Sequence, residues 1–368
     1  MLRFGRMTIF LLALNVMAFY YYGYRAIIVS LISVAVALLT EYICCTATGR
    51  KFDIKDTSPI MSAMILALLM PASIPYRIII FASAFMIAIC KYAFGGNKNL
   101  IFSPAAVAYA FSLLAWPNSV LRYPQPVPFG NIPLISDSTQ VLDYSFTHYA
   151  DISLSSSSYL DIIWGRLAGP MGTSCVVIIA ICAISLYLFK DIHGTTLFSA
   201  VAVSVLLYVL FPLAATGWRA AVYALVTGSF MFVLVFIVCD MRYVPQRPLA
   251  QVIYGALFAA ISYLLRRFSG LESAAVFSAL ILSIFTSEFD RFDLAVCGGA
   301  SKLWRFVSGK TRDLVLYVKF KSDKKLSRDV SPSSEQGEDA GSTSADDTHK
   351  TPDTQSPDKN TDEKSSEE

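Results

Sequence analysis

From Met7 to Phe289 the chain is a succession of apolar runs broken by short charged connectors. No other feature constrains the fold as tightly. A backbone in hydrocarbon must satisfy its own N–H and C=O groups, and an apolar run does so by closing a helical ladder. About 20 such residues cross a bilayer. The runs are Met7–Tyr22, Ala26–Thr46, Pro59–Met70, Ile78–Tyr92, Pro104–Trp116, Met171–Phe189, Thr196–Leu213, Ala220–Cys239, Ala250–Leu265 and Ala274–Phe289. The third and fifth are short, which membrane depth tolerates where a helix is buried against protein or lines a cavity. The expected fold is therefore an all-α polytopic membrane protein, residues 1–290, with about ten transmembrane helices. One long polar loop, 117–161, interrupts it.

Composition supports this reading. Hydrophobic residues make up 55% of the chain and charged residues 15%, and the mean hydropathy is +0.54; a soluble domain of this size is less apolar. The net charge of +3 hides a division: residues 335–368 hold eleven acids and three lysines, −8, so residues 1–334 carry +11. That basic excess belongs to loops facing lipid headgroups, so the expected surface partner is the bilayer and not nucleic acid. Residues 331–368 are Ser, Thr, Asp, Glu, Pro and Lys with almost no large apolar side chains, an acidic tail expected to be disordered. Residues 291–330 are basic and juxtamembrane, readable as an amphipathic helix on anionic lipid or as a solvated linker.

Arg3 and Arg6 lead the first run, yet no small-residue cleavage site follows it, and Tyr20-Tyr21-Tyr22 reads as an interfacial aromatic belt. Counting lysine and arginine in the loops gives ten on the side of the N-terminus and seven on the other. Arg291, Lys302, Arg305, Lys310 and Arg312 after the last run add to the first side. Both termini are thus expected in the cytoplasm and loop 117–161 outside.

Chemistry-bearing residues are sparse. The cysteines at 44, 45, 90, 175, 182, 239 and 297 sit in or beside apolar runs without metal-site spacing and read as small buried hydrophobes. The histidines at 148, 193 and 349 are scattered. Glu41 lies late in the second run, and Asp56, Asp240, Glu272 and Glu288 lie near run ends, where they are expected to reach water. Neither a phosphate-binding loop, a dinucleotide fingerprint nor a nucleophile–histidine arrangement is present. No catalytic or metal-ligating residues are assigned. A secondary transporter would want inverted repeats, and none is visible in the sequence.

The stretch Gly95-Gly96-Asn97-Lys98-Asn99-Leu100-Ile101-Phe102-Ser103-Pro104-Ala105-Ala106, running to Trp116-Pro117, opens the fifth run and delivers the chain to its long loop. It resembles the corresponding segment of the RnfD/NqrB family. So do Asp56–Pro71 for the third helix, Trp164–Ser174 for the approach to the sixth, Thr227–Asp240 for the eighth, and Tyr254–Glu272 for the ninth and the start of the tenth. The resemblance runs over roughly residues 5–292. Ser103 stands where the family has asparagine, and Asp240-Met241-Arg242-Tyr243 replaces an Asp-Pro-Val-Thr-like run.

This resemblance implies a flavin-carrying membrane subunit of an ion-translocating redox complex in a bacterial plasma membrane. The complex would be of the ferredoxin:NAD oxidoreductase type, with other subunits as partners. In the family an external loop carries FMN through a phosphoester to the threonine of a Ser-Gly-Ala-Thr motif. The matching positions are Ser136-Asp137-Ser138-Thr139, so Thr139 becomes the expected attachment residue and a flavin transferase a further partner. Riboflavin is a second candidate cofactor. Alternatives are an NqrB-like subunit of a sodium-translocating quinone reductase and a flavin-free membrane scaffold. The short N-terminus favours the RnfD side.

Overall fold

The computed structural model describes residues 2–49, 56–93, 102–124, 141–143, 169–212, 225, 228–271, 273–286 and 288–291. Among these the chain is almost wholly helical, as a polytopic α-helical membrane protein should be. α1 (Leu2–Tyr22) and α2 (Tyr24–Ala47) form a hairpin through a single residue, Gly23. Its φ of 72° is left-handed, and its N–H still donates to Phe19 O at 2.8 Å. α3 (Ser58–Leu69) has Pro59 in its first turn and stops before Pro71. α4 (Tyr76–Phe85) continues as a π-helical segment, Met86–Ala93. α5 (Pro104–Ala115) leads through a single turn, α6 (Pro117–Val120), into strand β1 (Arg122–Pro124), which pairs antiparallel with β2 (Val141–Asp143).

The second half opens on a 3₁₀ turn (Met171–Thr173), then α7 (Val176–Leu188) and α8 (Gly194–Leu210). α9 (Phe230–Val233) widens into a π segment, Leu234–Val238. α10 (Pro248–Ser269) and α11 (Ala274–Ile284) complete the set. Three helices are long and apolar enough to cross a bilayer, Tyr24–Ala47, Tyr76–Ala93 and Pro248–Ser269, and five shorter apolar helices accompany them. Segments 291–330, beyond Arg291, and 331–368 lie outside the described residues, as does most of loop 117–161.

α3 sits at the centre. A helix that is apolar on all sides has to be surrounded, and every residue of α3 except Ile60 is buried. α1, α2, α4, α5 and the 3₁₀ turn pack around it. α9 is enclosed in the same way, Phe232 to Asp240 being buried without interruption. The outer helices instead expose large apolar side chains such as Leu31, Leu114, Leu188 and Phe198, a surface suited to lipid.

The two halves repeat one packing order, which the sequence did not reveal. The first helix of each half lies on the third (α1 on α3, α7 on α9) and the second on the fourth (α2 on α4, α8 on α10). The third and fourth then each meet the fifth, which is α5 in one half and α11 in the other, and the halves touch where α5 packs on α11, where α1 meets α7 and where the 3₁₀ turn meets α1 and α3. Both of these fifth helices open on a buried serine followed by an Ala-Ala-Val run: Ser103-Pro104-Ala105-Ala106-Val107 and Ser273-Ala274-Ala275-Val276.

Candidate functional site

Two polar regions occupy opposite ends of the bundle. At the first end, the strand pair closes the base of the long loop, with Arg122 opposite Asp143, Tyr123 opposite Leu142 and Pro124 opposite Val141. β1 is fixed to the helices. Ser73 donates to Arg122 O at 2.6 Å, Arg25 donates to Ser73 O at 2.9 Å and to Ile74 O at 3.3 Å, and Tyr123 is buried. The other margin of the loop, Gly169–Ser174, docks at this end too. Met171 N–H donates to Met70 O at 3.1 Å, and Tyr22 donates its hydroxyl to Gly169 O at 3.2 Å while accepting from Ser174. Gly172 lies so close to α3 that a Cβ there would stand 2.7 Å from Leu68 Cβ and 3.0 Å from Phe232.

Of the segments carrying the family resemblance, α3, α5, the described part of the glycine-rich stretch before α7 (Gly169–Ser174) and α9 meet in space, whereas Gly95–Ile101 and Trp164–Ala168 lie outside the described residues. The expected attachment residue Thr139, with Ser136, Asp137 and Ser138, lies outside the described residues. β2 begins two positions after Thr139, at Val141.

At the opposite end three acids lie inside the protein, each with a base. Lys91 donates to Glu41 Oε1 at 2.8 Å, both side chains being less than a tenth exposed. Tyr92 donates to the same oxygen at 2.9 Å, and Cys45 Sγ lies 2.9 Å from the Tyr92 hydroxyl. The π-helical segment of α4 closes i→i+5 turns, which bring successive side chains nearer in angle and let Lys91 and Tyr92 reach one carboxylate. Glu41 Oε2 is buried without a hydrogen-bond partner among the described residues. Asp56, 3.6 Å from Lys91 and about a third exposed, is the edge of this cluster towards solvent.

The second pair joins Arg6 to Asp191 at 2.7 Å, with the guanidinium 5.4 Å from the Phe189 ring. The third joins Arg242 to Asp240 Oδ2, at 2.6 Å from Nη2 and 2.8 Å from Nε. Burial alone would lower the Arg242 pKa, but the Asp240 carboxylate outweighs it and holds the guanidinium above its ordinary value, with Asp56 contributing. An isolated backbone bridge from Ile192 to Asp240 ties the second pair to the third. Beside them Gln251 bonds His193 Nδ1 at 3.1 Å and Pro245 O at 3.0 Å.

This corrects the expectation for Glu41 and Asp240. Neither reaches water, because each is held by a base inside the fold, whereas Asp56, about a third exposed, and Glu288, paired to Arg291 on the surface, lie towards solvent as expected. Glu272 is outside the described residues. Lys91, counted as a loop charge, is likewise buried. Paired in this way the charges are neutral as couples, and Glu41 Oε2 remains a buried acceptor without a hydrogen-bond partner among the described residues. Among the described residues six cysteines are free thiols, five of them buried, as small hydrophobes are; Cys297 lies outside the described residues.

Comparison with known proteins covers both regions. The D component of an ion-translocating oxidoreductase complex from Methanosarcina acetivorans is 25% identical over 281 residues, 76% of this chain and 85% of that protein. The D component of the Na(+)-translocating ferredoxin:NAD(+) oxidoreductase complex from Acetobacterium woodii is 26% identical over 288 residues, 77% of this chain and 86% of its own. The corresponding component of an ion-translocating oxidoreductase complex from Halorhodospira halophila is 24% identical over 302 residues, 74% of this chain and 84% of its own. The model of the NQR2, RnfD, RnfE family matches residues 4–295, from the first helix through the last, and the chain belongs to that family.

Proposed function

We propose that the chain is the RnfD-type membrane subunit of an ion-translocating oxidoreductase complex, of the ferredoxin:NAD type. It would cross the plasma membrane about ten times with both termini in the cytoplasm, alongside other subunits that supply the remaining redox centres. The observation that carries this reading is the family match over residues 4–295, together with relatives named as the D component of such complexes over most of both chains.

In this reading Thr139 holds FMN through a phosphoester, attached by a flavin transferase, with riboflavin as a second candidate. FMN supplies one-electron chemistry when bound. The chain's own contribution is to hold the attachment hydroxyl two positions from a strand that is paired to β1 and, through Ser73 and Arg25, to the helices. The departures at Asp137 and Ser138 favour one competing reading, a subunit that keeps the fold without flavin.

Covalent flavin survives denaturation, so in-gel ultraviolet fluorescence of the full chain, co-expressed with its transferase, separates the two. Thr139→Ala should abolish the fluorescence while changing stability by no more than about 0.5 kcal/mol, and Thr139→Ser should retain some. Mass spectrometry of the 123–166 peptide should find the adduct on Thr139. An adduct on Thr147 or Ser155–Ser158 would move the site, and a dark band beside an active transferase would favour the scaffold.

A further inference from the structure

Both margins of the long loop are tied to one short turn, and that turn is tied down by one side chain. The chain between α3 and α4 reads Met70-Pro71-Ala72-Ser73-Ile74-Pro75. Met70 has left the helix, with a ψ of 157°, and its carbonyl accepts the Met171 N–H of the later margin at 3.1 Å. Three residues on, the Ser73 hydroxyl donates to Arg122 O of the earlier margin at 2.6 Å. The turn has little stiffness of its own. Its two prolines have no N–H to give, and the backbone bond that closes it runs from Ile74 N–H to Pro71 O at 3.2 Å. Ala72 and Ile74 are buried, so a carbonyl in this stretch needs a donor from the protein.

Arg25 supplies it. From the first turn of α2 its Nη2 donates to Ser73 O at 2.9 Å and to Ile74 O at 3.3 Å. A charged donor makes a stronger hydrogen bond than a neutral one. The Tyr76 ring, 5.4 Å from the guanidinium carbon, holds the head group from a further side. The root of the side chain is fixed as well. Gly23 closes the α1–α2 hairpin, and the rings of Phe19 and Tyr24 meet edge to face across it, their centroids 5.3 Å apart. Neither Arg25 bond goes to a loop margin, yet both margins hang from the turn that these bonds secure. We propose that Arg25 is a positioning residue: by fixing the turn 70–75 it sets where both margins of the long loop stand. Its consequence for electron relay rests on the reading that this loop carries flavin; the mechanical part does not. Tyr22, on the other side of Gly23, provides a contrast, because its hydroxyl bonds the later margin, at Gly169 and Ser174.

Hydrogen–deuterium exchange, read by mass spectrometry on the full chain in lipid nanodiscs, tests this. Arg25→Met keeps the apolar stem and removes the guanidinium. Exchange should rise several-fold in the peptides covering β1 and β2 and also at Met171–Thr173, while α9 and α11 stay unchanged. Ser73→Ala should speed β1 and β2 alone, and Tyr22→Phe residues 169–174 alone. Arg25→Lys, which keeps the charge on a shorter side chain, serves if the first variant folds poorly and should loosen both margins to a lesser degree. In the assembled complex, Arg25→Met should lower kcat for ferredoxin:NAD turnover several-fold, with KM for ferredoxin and the covalent flavin content unchanged. Faster exchange in β1 that does not extend to Met171 would overturn the inference. So would an equal rise in α9 and α11, or an unchanged kcat in a flavin-bearing complex. A dark in-gel band from the wild-type chain sinks the flavin reading instead, and the exchange measurement still decides the role of Arg25.

Discussion

Glu41 and Lys91 stand 50 positions apart and share one hydrogen bond with almost no water. Such a pair is more expensive to break than to replace. Lys91→Met should cost about 3–5 kcal/mol, because it leaves Glu41 charged and buried. Adding Glu41→Gln should recover much of that loss, and thermal unfolding in detergent measures both. A double variant no more stable than the single one would show that the two charges are uncoupled. Glu41 was legible as an ionisable residue inside an apolar run. Its partner was not, because Lys91 sits four residues before Gly95-Gly96 and looks like a loop charge. The i→i+5 turns that swing it inward leave no mark in the residue pattern. Lys190 is the complementary case. It follows α7 with a φ of 57°, its N–H on Tyr187 O and the Asp191 N–H on Leu186 O, both at 3.0 Å. That is a helix terminus built for glycine, so Lys190→Gly should stabilise the fold by roughly 0.5–1 kcal/mol in the same assay.

At the scale of elements, α8 and α10 cross at their small residues. A Cβ on Gly255 would stand 2.5 Å from Thr196 O and would collide with the Ser199 hydroxyl. Gly255→Val therefore wedges two helices apart at a backbone contact that cannot yield. A loss of about 1–3 kcal/mol is expected, read as a lower melting temperature of the solubilised protein; an unchanged melt would mean that the crossing is loose. The helices themselves could be read from apolar run length, and Pro59, Pro104 and Pro248 mark their first turns. The strand pair could not be read, since three residues a side carry no alternation to recognise. Its partners, Ser73 and Arg25, come from parts of the chain that no residue pattern connects with the loop.

For the molecule as a whole, the two polar ends are chemically unlike. One is a network of paired charges, and the other is a set of backbone and hydroxyl contacts that pin the margins of a loop. In the orientation proposed above, the charged end would face the cytoplasm. Cysteines at Ser145 and Ser344, in a background without accessible native cysteines, should then react oppositely with a membrane-impermeant thiol reagent. Ser145→Cys should label from outside and Ser344→Cys only after the membrane is opened; the reverse would invert the whole assignment. The repeated packing order was hidden because it lives in which helices touch, with only the Ser-(Pro)-Ala-Ala-Val openings of α5 and α11 echoing it in sequence.

The anchoring of β2 sets a leash. Two residues of extended chain span at most about 7 Å, so anything joined to Thr139 starts within that distance of Val141. A carrier on a long free loop would sweep a wide volume and meet its donor and acceptor rarely. If Thr139 carries flavin as proposed, a leash this short would give an effective concentration in the millimolar range or higher towards a donor and acceptor within its reach, and diffusion would then drop out of the steps that limit its turnover.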